Sequence, residues 1–186
     1  TTNLEKINAE QRRTAKVINF GLIYGMGAFG LSKSLGISRD AATNYIDRYF
    51  QRYPGVASFM QETKAGAKKN GFVQTLMGRK LWLPEINSPN GPRRQAAERA
   101  AINAPMQGTA ADLIKMAMIR MNAELEKNNF NAKMVLQVHD ELVFEVHKDQ
   151  VAPFMSFVKE LMCKVLELRV PLEVDVGKGE NWEEAH

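Results

Sequence analysis

Four side chains near the N-terminus fall at every fourth position: Arg12, Lys16, Phe20 and Tyr24, with Gly25 directly after them. A helix takes about 3.6 residues per turn, so this spacing lines them along one slowly drifting face. The face reads cation, cation, aromatic, aromatic. Guanidinium and ammonium groups hold phosphates, and rings offer a flat apolar surface to a sugar or a base. A second concentration of chemistry lies far along the chain, at His139, Asp140 and Glu141. Two adjacent carboxylates repel each other, and none of the three is the glycine that a tight turn favours. The simplest further duty for such a turn is to hold a divalent cation. Hard oxygen ligands suit Mg²⁺, which takes one or two carboxylates and fills its shell with phosphate oxygens and water. The competing reading is that hairpin tips are charged because they are wet. A third group, Arg99, Asn103 and Gln107, is again four apart, on a stretch rich in alanine (Ala96, Ala97, Ala100, Ala101, Ala104). Small residues let a helix approach a partner closely. The long polar side chains can then donate to the acceptors common to all base pairs in a minor groove. Arg93 and Arg94 precede them, placed to meet phosphates. The plainer alternative is a solvated helix face.

These groups need elements to aim them. Asn8 and Gln11 have the spacing of a capping box, and Glu10 suits the first turn of a helix dipole. Val17, Ile18, Ile23 and Gly21 weaken the helix that follows. Periodicity still predicts a helix, ending near Gly25 or Gly27. Its competing reading is an amphipathic helix with a core stripe of Phe20, Ile23 and Tyr24. Residues 25–36 read as a glycine-broken connection. Ser38 then caps a helix carrying Tyr45, Ile46, Tyr49, Phe50 and Tyr53, which Pro54-Gly55 ends. The next helix stops near Asn70-Gly71. Residues 72–76 and 80–83 read as a small hairpin around Gly78. Residues 84–92 (PEINSPNGP) read as a linker, and a long helix over 93–127 follows, kinked at Pro105 and Gly108.

The period then changes from helical to alternating. Met134, Leu136 and Val138, then Leu142, Phe144 and Val146, predict two strands joined by the acidic turn. A helix with Phe154, Phe157, Val158, Leu161, Met162 and Val165 follows. Leu172, Val174 and Val176 predict a last strand, with Pro171 at its start. The expected class is therefore α+β. A helical subdomain over 1–84 precedes a part over 85–186 in which a small antiparallel sheet packs on helices.

Bulk properties narrow the field. The chain has 186 residues, 45% hydrophobic, enough for one large domain or two small ones. A formal net charge of +4 and a pI near 9.2 permit a nucleic-acid partner without demanding one. The single cysteine, Cys163, sits among apolar neighbours and allows no internal disulfide, which fits a reducing compartment. No apolar run reaches the roughly 20 residues of a membrane span. Residues 25–30 (GMGAFG) match a dinucleotide-binding glycine pattern. That site would need a second strand and an acidic residue about 20 positions on, and the chain moves directly to a helix instead.

Three ordered segments together resemble the C-terminal part of the family A DNA polymerases, of the bacterial DNA polymerase I type: residues 11–30 (QRRTAKVINFGLIYGMGAFG), 96–112 (AAERAAINAPMQGTAAD) and 137–147 (QVHDELVFEVH). The ending Gly179-Glu180-Asn181-Trp182 is also similar. The resemblance implies part of the fingers in the first half and part of the palm in the second. It implies that Arg12 and Lys16 hold the triphosphate of a dNTP, with Lys16 also able to protonate the leaving pyrophosphate. Phe20 would pack on the deoxyribose and Tyr24 would border the nascent base pair. Asp140 would bind the catalytic Mg²⁺ ions, with Glu141 a lesser contributor and His139 near the primer end. Arg99, Asn103 and Gln107 would track the minor groove of a primer–template. The implied reaction is two-metal phosphoryl transfer.

In that family the metal site takes a second aspartate, on a strand before the fingers helix. Residues 1–11 contain no Asp. The chain is therefore expected to be a polymerase fragment that binds DNA weakly and does not polymerise alone. Its parent is expected to be monomeric, cytoplasmic and associated with the nucleoid. The alternative class is a non-catalytic nucleic-acid-binding module on the same scaffold.

Overall fold

The computed structural model describes residues 7–185. In chain order the elements are α1 (Ala9–Ile23), α2 (Ala28–Leu35), α3 (Arg39–Arg52), α4 (Pro54–Asn70), β1 (Phe72–Gln74), β2 (Lys80–Trp82), α5 (Gly91–Asn128), β3 (Ala132–Val138), β4 (Glu141–Val146), α6 (Val151–Cys163) and α7 (Trp182–Ala185). The class is α+β. The chain forms two compact units, one ending at Gly108 and the other beginning at Thr109, so the division falls inside α5.

In the first unit α1 starts where its capping box dictates. Asn8 Oδ1 accepts the Gln11 N–H at 2.8 Å, and Gln11 Oε1 accepts the Asn8 N–H at 3.0 Å. Two amide donors that a helix start leaves orphaned are thereby satisfied. The helix ends at Ile23. Gly25 then turns the chain with φ of +77°, a conformation that side chains rarely adopt.

The glycine-broken connection expected over 25–36 contains a helix of its own, α2. The reason is packing. Leu31 is fully buried with Leu22 and Ala42, with Ile18, Leu35, Ile46 and Tyr49 around them. Gly36, with φ of +66°, closes the helix. Ser38 Oγ accepts the Ala41 N–H at the start of α3. Pro54 opens α4 as its first residue, where its missing N–H costs nothing.

The first hairpin pairs Phe72 with Trp82 and Gln74 with Lys80. The segment expected to be a linker after it is packed instead. Ile86 is only 2% exposed and lies with Leu83, Ala67, Val73, Ala97 and Ala101 in one cluster. Asn87 donates to the Lys68 carbonyl, and the Arg94 guanidinium to that of Ser88. Its prolines, glycine and asparagines encode turns rather than freedom. Asn90 Oδ1 accepts the Arg93 N–H where α5 begins, and α5 continues through Pro105 to Asn128.

Across the same unit Lys68 of α4 meets Glu98 of α5 at 2.7 Å. That hydrogen bond holds the Glu98 carboxyl below its usual range, against the opposing effect of burial.

In the second unit β3 and β4 form an antiparallel pair whose inner face meets helices. Ala132, Phe144 and Val146 pack with Met121 of α5 and with Phe154 and Val158 of α6. Phe154 is edge-on to both Phe130 and Phe144 at 5.2 Å. The simple alternation expected along β3 breaks at Val135. Met134 faces Phe144 while Leu136 faces Val143, so Val135 is an extra residue in the pair. This bulge leaves Leu136 48% exposed rather than inward. The strand expected at 172–176 does not form. Leu172, Val174 and Val176 alternate half-buried with exposed neighbours, as a strand would. Backbone pairing in this unit is confined to β3 and β4 among the described residues, and a strand exists only where a neighbour takes its hydrogen bonds.

Candidate active site

The α1 ridge is present as a surface. Arg12, Lys16 and Phe20 are exposed and Tyr24 is half-buried. The Phe20 and Tyr24 rings stack at 6.3 Å between centroids with 28° between planes. Side chains four apart on a helix meet in this way. The core stripe weighed against this reading is not the one found. Phe20 is 52% exposed, and it is Leu22 that is buried, at 1%, with Ile18 beside it. The helix thus faces its own unit with Ile18 and Leu22 and presents two cations and the Phe20 ring to solvent, with Tyr24 half-buried at its end.

The α5 groups lie in the same unit. A methyl group on Gly25 would stand 3.3 Å from Arg99 Cγ and 3.7 Å from Ile102 Cδ1. The end of α1 therefore closes directly on the α5 turn that carries Arg99. Arg99 and Gln107 are exposed and Asn103 is half-buried. The Asn103 Oδ1 is buried with no hydrogen-bond partner among the described residues, an uncommon condition for a buried polar atom. The two arginines ahead of them have local partners. Arg94 donates to Ser88 at 2.9 Å, and Arg93 lies 4.0 Å from Glu85. That second pair is exposed and weak.

His139, Asp140 and Glu141 belong to the second unit. The pairing of Val138 with Glu141 makes His139 and Asp140 a two-residue turn. His139 has φ of +50°, the left-handed region that tight hairpin turns require at their first central position and that glycine usually fills. A non-glycine residue there costs on the order of 1–3 kcal/mol. The Gln137 side-chain amide holds the turn by donating to the His139 carbonyl at 2.6 Å. Asp140 is exposed at the tip and Glu141 half-buried beside it. Their donor chemistry, hard carboxylate oxygens, fits Mg²⁺. Among the described residues no three or more His, Cys, Asp or Glu side chains come together as a metal cage. A cation at this turn would draw its other ligands from substrate phosphate, water or groups outside these residues.

One contact the sequence reading missed joins α1 to α3: the Tyr49 hydroxyl donates to Asn19 Oδ1 at 2.8 Å. Its only sequence signal is a lone amide within the apolar run Val17-Ile18-Asn19-Phe20. The glycine pattern at 25–30 has no strand before it, since Ala9–Ile23 is helical. A dinucleotide site is thereby excluded there.

The sequence matches the family described as DNA polymerase family A over residues 1–184. It is similar to DNA polymerase I of Pseudomonas aeruginosa, 56% identical over 183 residues that make up 98% of this chain and 20% of that protein. It is similar to DNA polymerase I of Streptococcus pneumoniae, 46% identical over 97% of this chain and 21% of that protein. The chain thus spans about a fifth of the length of these curated relatives. Among solved structures it resembles the POL domain of Pol1 from M. smegmatis in complex with DNA primer-template and dNTP. The TM-score is 0.95, the identity 41%, and the match covers 99% of this chain and 32% of that one.

Proposed function

This chain belongs to DNA polymerase family A, and from that premise we propose that it supplies the nucleotide-gripping helix, a DNA-tracking helix and a metal-binding turn of a DNA-directed DNA polymerase. The observation that carries the reading is the exposed ridge of α1, where Arg12 and Lys16 continue into the exposed ring of Phe20, stacked on a half-buried Tyr24.

In this reading the substrates are a dNTP and a primer–template, and the reaction joins the primer 3′-hydroxyl to the α-phosphate with release of pyrophosphate. Arg12 and Lys16 hold the triphosphate, and the Lys16 ammonium gives its proton to the departing pyrophosphate. Phe20 packs on the deoxyribose and Tyr24 borders the new base pair. Arg99, Asn103 and Gln107 donate to minor-groove acceptors present at every base pair, which gives grip without sequence choice. Arg93 and Arg94 lie beside phosphates, and His139 near the primer end.

Members of this family are metal-dependent, and Asp140, with Glu141 as the lesser contributor, would hold Mg²⁺. The bound ions would supply Lewis-acid activation of the hydroxyl and charge neutralisation on the phosphates. The protein's own part is positioning and preorganised charge. We keep the division of 1–84 as fingers-like and 85–186 as palm-like as part of this proposal. With it go a monomeric parent and a cytoplasmic, nucleoid-associated location. Among the described residues no helix is long and apolar enough to cross a membrane.

The test is Asp140→Ala in the complete polymerase that carries this chain. Primer extension is expected to disappear while primer–template affinity stays nearly intact. Equal loss of both would make the turn a structural element and leave a binding module in place of the enzyme.

A further inference from the structure

Apolar packing sets how close α1 lies to its neighbours, but it is non-directional and constrains rotation about the helix axis only loosely. Ile18 and Leu22 supply that packing, against Leu31, Ala42 and Ile46. A directional tie crosses at the same place. Tyr49 of α3, itself part of the cluster, donates its phenolic hydrogen to Asn19 Oδ1 at 2.8 Å. The Tyr49 ring is braced by Phe50, edge-on at 5.4 Å, and by Tyr53, tilted at 5.1 Å. Asn19 follows Lys16 by three residues and immediately precedes Phe20. Any rotation of α1 that breaks the bond therefore swings the ammonium group and the ring with it.

We propose that Tyr49 is a positioning residue: through Asn19 it sets the rotation of α1 about its axis and so the aim of Lys16 and Phe20 at an incoming dNTP. The inference rests on the reading of α1 as the nucleotide helix. Asn19 is exposed, so water replaces the lost donor when the bond is cut and the fold loses little. Its role is then visible in nucleotide binding rather than in stability.

The experiment measures steady-state extension by the complete polymerase that carries this chain. Tyr49→Phe keeps the ring and removes the hydroxyl. It is expected to raise the KM for dNTP about three- to tenfold and to leave primer–template Kd and melting temperature unchanged. Asn19→Ala is expected to give the same rise, and the double variant no more than either single one. An unchanged KM in Tyr49→Phe, effects that multiply in the double variant, or a lowered melting temperature with KM intact would each overturn the proposal. Lys16→Ala is measured alongside. Weakened dNTP binding there with a silent Tyr49→Phe refutes the positioning role alone, whereas a silent Lys16→Ala removes the reading of α1 on which it rests.

Discussion

Phe20 stands half in solvent on a helix that has a core to offer it. Full burial of a phenylalanine is worth about 1.5–3 kcal/mol, so a ring left outside forgoes a stabilisation that a purely structural helix would take. Stacking on Tyr24 recovers part of that area and keeps both rings in one orientation. The same exposure makes Phe20 a clean probe, because a hydroxyl added to its ring meets water and not a packed interior. In the complete polymerase, Phe20→Tyr is expected to ease acceptance of chain-terminating dideoxynucleotides, the ring hydroxyl substituting for the missing 3′-hydroxyl interaction. Competition between a dNTP and its dideoxy analogue reads this directly, and unchanged discrimination would displace Phe20 from the sugar. The acidic turn makes the complementary point. His139 accepts a left-handed backbone where glycine would sit more easily, and it does so next to Asp140, whose side chain the turn lifts into the open. Local conformational cost next to exposed functional chemistry is a recurrent pairing.

At the scale of elements, two glycines with opposite surroundings separate backbone propensity from packing. Gly108, in α5, lies against the first hairpin. A Cβ there would come within 2.6 Å of Thr75 Cγ2. Thr75 is buried, and its hydroxyl accepts the Arg79 N–H, so it cannot turn away without giving up that bond. Arg79 completes the join by donating to the Gly108 carbonyl at 2.8 Å. Gly108→Ala gains about 1 kcal/mol of helix propensity and incurs overpacking of about 1–3 kcal/mol, so a net loss is expected. Gly66, in α4, has nothing within 4 Å of the same added atom, and Gly66→Ala is expected to stabilise by about 0.5–1 kcal/mol. Chemical denaturation of the two variants checks the pair, and stabilisation of both would show that propensity alone governs these helices. The packed segment over residues 84–92 teaches the same lesson. A composition of prolines, glycine and asparagines marks turns, but Ile86 inside it decides that the turns are held down.

For the whole molecule, the chain spans about a fifth of the length of the curated relatives it matches. The 186-residue chain by itself is therefore expected to give no templated primer extension. A sensitive extension assay on material free of full-length enzyme checks this, and sustained template-dependent synthesis would refute it. Much of the local structure and the candidate chemistry was legible in the residues. The capping box at Asn8 and Gln11, the helix stop at Gly71, the change of period at Met134 and the acidic turn all follow from hydrogen-bonding rules and periodicities that act over a few positions. Helix α2, the bulge at Val135 and the unpaired stretch at 172–176 were not legible. Each depends on what lies across from it: a pocket that takes Leu31, a partner strand whose register is offset, or, among the described residues, no partner strand. The amino-acid order alone determined which side chains share the α1 face and which turn carries the carboxylates, because helical and hairpin geometry repeat within a handful of residues. Tertiary structure alone decided that Leu22 rather than Phe20 goes inside and that Asn19 meets Tyr49, because burial and long-range hydrogen bonds are settled by neighbours remote in the chain.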